Sequence, residues 1–172
     1  MDGTSQVERL WPGQAECMVK GATGTGGVAW AYLVLGIEHI LGGIDHLLFV
    51  LALLLIVRGG KRIVATVTAF TLAHSITLVA ATLGWVHMPG PPVEATIALS
   101  IAFVAAEVVQ GLRGHRGLTA RAPWVVAFSF GLLHGFGFAS ALAEVGLRQK
   151  AIPVELLTFN VGVEIGQLIF VC

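Results

Sequence analysis

A chain of 172 residues that is 56% hydrophobic and only 12% charged, with a mean hydropathy of +0.86, is too apolar for an ordinary soluble domain. Its 10 Lys and Arg balance its 10 Asp and Glu, and no basic stripe is present, so nothing points to nucleic acid. Cys17 and Cys172 give neither a disulfide framework nor a Cys-x-x-Cys metal pair.

The opening is polar and ends in the glycine run Gly21-Ala-Thr-Gly-Thr-Gly-Gly27. It lacks the basic and apolar regions of a signal peptide, and the run lacks the Gly-Lys-Ser/Thr ending of a phosphate loop. Residues 1–27 therefore read as an extracytoplasmic tail or linker, the end of something longer, and 28–172 as the transmembrane domain.

Five apolar segments follow, at 28–57, 63–84, 93–112, 124–145 and 154–172, each near the ~20 residues that a span requires. The expected fold is all-α, a polytopic membrane helix bundle of about five transmembrane helices. The first segment would be roughly 45 Å long as one straight helix, so it should tilt, kink near Gly42-Gly43 or begin outside the hydrocarbon. Pro91-Pro92, Pro123 and Pro153 mark the starts of later spans. The fifth segment stops at Cys172 without a polar anchor, as a truncated C-terminus would.

Loop charges orient these helices. Arg58, Lys61 and Arg62 follow the first span, and Arg113, Arg116 and Arg121 follow the third. The loop 85–92 has no Lys or Arg, and 146–153 has only Arg148 and Lys150. The positive-inside rule then places the first and third loops in the cytoplasm and the N-terminus outside, in a bacterial inner membrane. Trp85 and Trp124 sit near span ends, as interfacial aromatics do. The lipid bilayer is the expected partner, with a homo-oligomer left open.

Within this apolar background the ionisable residues stand out. Glu38, His39, Asp45 and His46 interrupt the first span. On a helix His39, Gly42, Gly43 and His46 share one face, and Glu38, Gly42 and Asp45 form the adjoining stripe. Ionisable groups at membrane depth cost a few kcal/mol each, roughly, so function is their default explanation, with a structural polar network as the plainer one.

The span midpoints fall near residues 43, 74, 103, 135 and 163. His46, His74, His134 and Glu164 thus lie close to one level, on four of the five helices. Asn160, Glu164 and Gln167 form a stripe, and Ser75 adjoins His74. Ser100 and Glu107 belong to the third span, Glu107 nearer its end, where it reads as a snorkelling residue or an exit site. Glu94 and Glu155 suit the starts of helices, and His87 and His115 read as surface residues. A weak repeat relates Phe70-Thr-Leu-Ala-His74 to Phe130-Gly-Leu-Leu-His134, and Pro92-Val-Glu94 to Pro153-Val-Glu155. Both units start on the same side, as parallel two-helix repeats. Gly131/Gly135 and Gly162/Gly166 are small-xxx-small pairs that suit close helix packing.

No Lys or Arg falls inside the spans, so Glu38, Asp45 and Glu164 need a cation or a proton. Imidazole beside carboxylate suits Ni²⁺, Co²⁺, Zn²⁺ or Fe²⁺. Met1, Met18 and Met88 lie outside the spans, which argues against Cu(I).

The elements His39-x5-Asp45-His46, Thr68-Ala-Phe-Thr-Leu-Ala-His-Ser-Ile-Thr-Leu78, Phe130-Gly-Leu-Leu-His-Gly-Phe-Gly-Phe138 and Phe159-Asn-Val-Gly-Val-Glu-Ile-Gly-Gln-Leu168 resemble the HupE/UreJ family. The resemblance runs from about Trp30 to the C-terminus, and His39-x5-Asp45-His46 is its most specific part. It implies nickel uptake for hydrogenase and urease assembly, with His39, Asp45 and His46 in the first-helix motif and His134-Gly135 opening the later histidine motif. Phe136-Gly137-Phe138 stands where nickel permeases of that family carry more histidine. The resemblance also implies an extracytoplasmic region before the first span and a further helix after the fifth.

The expected metal residues are therefore His39, Asp45, His46, His74, His134 and Glu164, with Glu38, Ser75, Asn160 and Gln167 around them. Two functions fit. One is membrane transport of a divalent transition-metal cation, nickel or cobalt first, through a midplane site that binds weakly enough to release. The alternative is a membrane-embedded zinc-type hydrolase in which Asp45 or Glu164 serves as base.

Overall fold

The computed structural model describes residues 25–145 and 152–172, with side chains over 26–138 and 154–172. The expectations for the polar opening, for Cys17 and for the loop carrying Arg148 and Lys150 lie outside the described residues. Those described form helices α1 (Thr25–Gly42), α2 (Ile44–Ile56), α3 (Gly60–Thr82), α4 (Gly90–Leu112), α5 (Leu118–Arg121), α6 (Pro123–Val145) and α7 (Ile152–Val171), with no strand among them. α3, α4 and α7 are long and apolar enough to cross a membrane, and α1 with α2 passes the same test only as a pair bent at a break, a broken span or a re-entrant loop. α6 is apolar over Pro123–Phe138. The chain is a helical membrane bundle.

Of the three ways to fit the long first segment, the chain kinks. α1 and α2 meet at 68°, with Gly43 alone between them. Gly42-Gly43 is the weakest helix-forming pair in the segment, since each glycine costs about 1 kcal/mol against alanine. Gly43 adopts an extended conformation (φ −81°, ψ 95°), and a Cβ there would lie 2.7 Å from His46 Nδ1 and 3.0 Å from the His39 carbonyl oxygen. Only glycine lets the His46 ring fold back over the break.

Two intimate helix pairs, α3 with α6 and α1 with α7, carry the packing. Between apolar helices in lipid no hydrophobic force acts, so close backbone approach at small residues supplies the attraction. Gly131 sits against the Phe70 carbonyl and Gly135 against that of His74, which shows that α3 and α6 run in the same direction. Gly162 sits against the Leu33 carbonyl and Gly166 against Ile37 and Ile40, so α1 and α7 are parallel as well. The two small-xxx-small pairs are these contact faces.

The repeat seen in the sequence maps onto this arrangement. Its first helices are α3 and α6, its second α4 and α7. α4 packs on α6 and α7 on α3, so each second helix leans on the other repeat. The broken span is shared between them, α2 against α4 and α1 against α7. Large apolar side chains such as Leu55, Leu72, Leu99, Leu157 and Ile169 are exposed on the outside, a surface suited to lipid.

Glu107 does not snorkel. It is buried, and its two oxygens accept hydrogen bonds from the backbone N–H groups of Leu118 (2.7 Å) and Thr119 (2.6 Å). The short helix α5 starts after Gly117, which has no side chain to cap it, and Glu107 supplies the missing acceptor from α4. Glu107→Gln is expected to destabilise the fold by about 1–2 kcal/mol, because its amide presents one donor where an acceptor is needed. Thermal unfolding in detergent checks this, and metal affinity should be unchanged.

Candidate functional site

The break in the first span brings four histidines together. His39 lies in the last turn of α1 and His46 in the first turn of α2, while His74 and His134 come from the parallel pair α3 and α6. The His46 ring is the hub, with ring centres 4.9 Å from His39, 5.9 Å from His74 and 5.1 Å from His134. His39 and His74 are 6.1 Å apart. Phenylalanines enclose the cluster: Phe138 stands 3.9 Å from His39, and Phe70 is 5.2 Å from His134 and 6.2 Å from His46.

The nitrogens in this apolar shell lack partners. His39 Nε2, both ring nitrogens of His46 and of His74, and His134 Nδ1 are buried without a hydrogen bond. Leaving a buried polar atom unsatisfied costs about 1–3 kcal/mol, and such atoms are rare in folded proteins. Each neutral ring holds one lone pair and one N–H, so the cluster can offer lone pairs to a cation or exchange hydrogen bonds with water.

His134 shows how one lone pair is aimed. Ser100 Oγ, on α4, donates its proton to the Ile97 carbonyl (2.6 Å) and lies 3.0 Å from His134 Nε2. A serine that keeps its proton on the Ile97 carbonyl accepts from His134, which puts the hydrogen on Nε2 and leaves the buried lone pair on Nδ1. Partners of this kind fix the tautomer of metal-binding imidazoles. Ser100→Ala is expected to weaken metal binding by roughly 10–100-fold with little change in stability, as calorimetry would show.

Among the described residues, no group of three or more His, Cys, Asp or Glu side chains is arranged to hold a metal ion as it stands. The ring spacing is nevertheless close to what an ion needs. Two imidazoles on one tetrahedral ion, with metal–nitrogen distances near 2.0–2.1 Å, have centres roughly 5 Å apart.

The carboxylates are less enclosed than His46, His74 and His134. Glu38 and Asp45 are exposed, each directly preceding a histidine of the cluster in sequence. Asp45 occupies the first turn of α2, where a negative charge complements the helix dipole. Glu164 is half-buried and bonded to Thr68 (2.6 Å), six residues before His74 and so roughly 9 Å along α3. Gln167 accepts from Thr71 (2.9 Å), and the Asn160 amide donates to the Leu156 carbonyl (2.8 Å). Glu164 Oε2, Gln167 Nε2 and Asn160 Oδ1 are buried and unpartnered, a second polar stripe between α3 and α7. Ser75 donates to the Thr71 carbonyl (2.7 Å) and stays on its own helix. The sequence names Ser100 without a role. The enclosing phenylalanines carry no signal there, because aromatic residues are common in any apolar span.

The model of the HupE / UreJ protein family matches residues 15–172, nearly the whole chain. The chain belongs to the HupE/UreJ family. No curated protein and no solved structure matches it. In this HupE/UreJ chain the first-helix motif His39-x5-Asp45-His46 straddles the helix break, so its two histidines come from two helices. The later motif at His134 meets them from α6.

Proposed function

We propose that the chain carries a divalent transition-metal cation, nickel or cobalt, across the membrane through the cluster of His39, His46, His74 and His134. The family's association with nickel and cobalt transport supports the general reading. The observation that carries the specific one is the convergence of the three buried imidazoles of His46, His74 and His134 with the half-buried one of His39, all with unpartnered nitrogens, on a break in a membrane helix. Broken helices are where transporters place ion sites. Here the negative end of the α1 dipole, finishing at Gly42, meets the positive end of α2, which the Asp45 carboxylate offsets.

In this reading Glu38 and Asp45, each directly preceding a histidine of the cluster, draw the cation toward the rings with their negative charge. The stripe of Asn160, Glu164 and Gln167 provides oxygen ligands further along α3. The imidazoles must be uncharged to bind, so protons compete with the cation and affinity falls as the medium is acidified. The hydrolase alternative requires a carboxylate base at the metal. Asp45 is exposed and Glu164 is bonded to Thr68, so transport is the better fit.

Nickel uptake into liposomes containing the purified chain tests the proposal. Uptake that saturates and is lost in His46→Ala is expected. Tight stoichiometric metal that survives dialysis, without any uptake, would contradict it.

A further inference from the structure

At the end of the bundle where α2, α4 and the α5 segment meet, a cavity of about 570 Å³ is lined by Arg58, Arg62 and Arg116 together with Leu55, Leu112 and Glu107. Arg58 follows α2, Arg62 lies in the first turn of α3, and Arg116 lies between α4 and α5. Glu107 is occupied by two backbone amides of its own chain, and among the described residues none of the three arginines is in an ion pair. Three guanidinium groups against one carboxylate leave the lining with a net charge of +2, His115 being counted as neutral. This basin has no part in the histidine cluster.

We propose that this cavity seats the phosphate headgroup of an anionic phospholipid. A guanidinium fork matches phosphate oxygens two at a time, and exposed arginines at membrane helix ends stand at headgroup depth. The volume lies in the range of pockets that enclose a small-molecule group, about 300–1,000 Å³. The choice of a lipid over free phosphate rests on the apolar part of the wall. Leu55 is 66% exposed and Leu112 84% exposed on the outer faces of α2 and α4, where acyl chains would lie. A free anion has no use for these leucines.

The test uses the purified full chain in neutral detergent, probed with cardiolipin, with phosphatidylcholine and with inorganic phosphate. Retained lipid is read by native mass spectrometry. Two triple variants remove equal charge from the same loops. Arg58→Gln/Arg62→Gln/Arg116→Gln alters the cavity, and Lys61→Gln/Arg113→Gln/Arg121→Gln alters exposed residues outside its lining. Cardiolipin should be retained over phosphatidylcholine by the parent and by the second triple, and lost at least about tenfold by the first. Should the first triple fail to fold, Arg116→Gln alone, in an exposed loop, is expected to lower retention by a few-fold, about the weight of one basic residue. Equal losses in the two triples would show diffuse surface charge and overturn the proposal. So would unchanged retention in Arg116→Gln, absence of preference for cardiolipin, or inorganic phosphate displacing cardiolipin at equal concentration.

Discussion

His46→Ala is expected to lower nickel affinity by more than about 100-fold while the protein remains folded. Changing residues that merely orient a ligand costs roughly 10–100-fold, and removing the ligand itself should cost more. His46 is singled out because its ring alone neighbours those of His39, His74 and His134. Its nitrogens have no hydrogen bonds to lose, so truncation removes two unsatisfied atoms from the interior and the cost in stability is confined to packing. Asp45→Asn should act differently. That carboxylate is exposed, and its replacement is expected to slow the uptake of cation with a smaller loss of affinity, because steering acts on encounter more than on the bound state. Titration calorimetry on the two variants and on Glu107→Gln, expected to behave as the parent, separates the three roles.

The second large effect is expected from Gly43→Ala. In an ordinary helix this change would be favourable by about 1 kcal/mol. Here the new Cβ would lie 2.7 Å from His46 Nδ1 and 3.0 Å from the His39 carbonyl, so the ring must leave or the backbone must change. Alanine also favours a continuous helix, and straightening the 68° bend would carry His46 away from His74 and His134. Nickel uptake should fall more than about tenfold while thermal stability is retained, given that propensity gain. Lower stability with unchanged uptake would show that the bend matters only for packing.

Much of this architecture could be read from the residues alone. Apolar length defined the membrane helices, and the proline starts and glycine pairs are where α4, α6 and α7 begin and where α6 and α7 approach their partners. Shared depth pointed to His46, His74 and His134, since residues at one level on neighbouring helices can meet. His39 was found by its helical spacing from His46, although the structure brings the two together through a break and not along one continuous face.

The carboxylates were less legible. Span midpoints give depth only coarsely and say nothing about direction around a helix axis, so the sequence puts Asp45, beside His46, and Glu164, near the middle of its span, on an equal footing. One faces outward, and the other is held by Thr68 against a different part of α3. Glu107 illustrates the same limit. A carboxylate near a span end suits snorkelling, and its capping role depends on the chain returning as α5 after Gly117, contacts 11 and 12 residues away that no periodic pattern encodes. The role of Ser100 was hidden for the same reason, as it requires knowing that α4 packs on α6.

The most direct test of the central claim is X-ray absorption at the nickel edge of the nickel-loaded chain in lipid. Three or four imidazoles at about 2.0–2.1 Å, falling in number in His46→Ala and in His74→Ala, are predicted from the cluster. A shell of oxygen ligands with no imidazole scattering, unchanged in both variants, would contradict it and place the cation away from the break at Gly43.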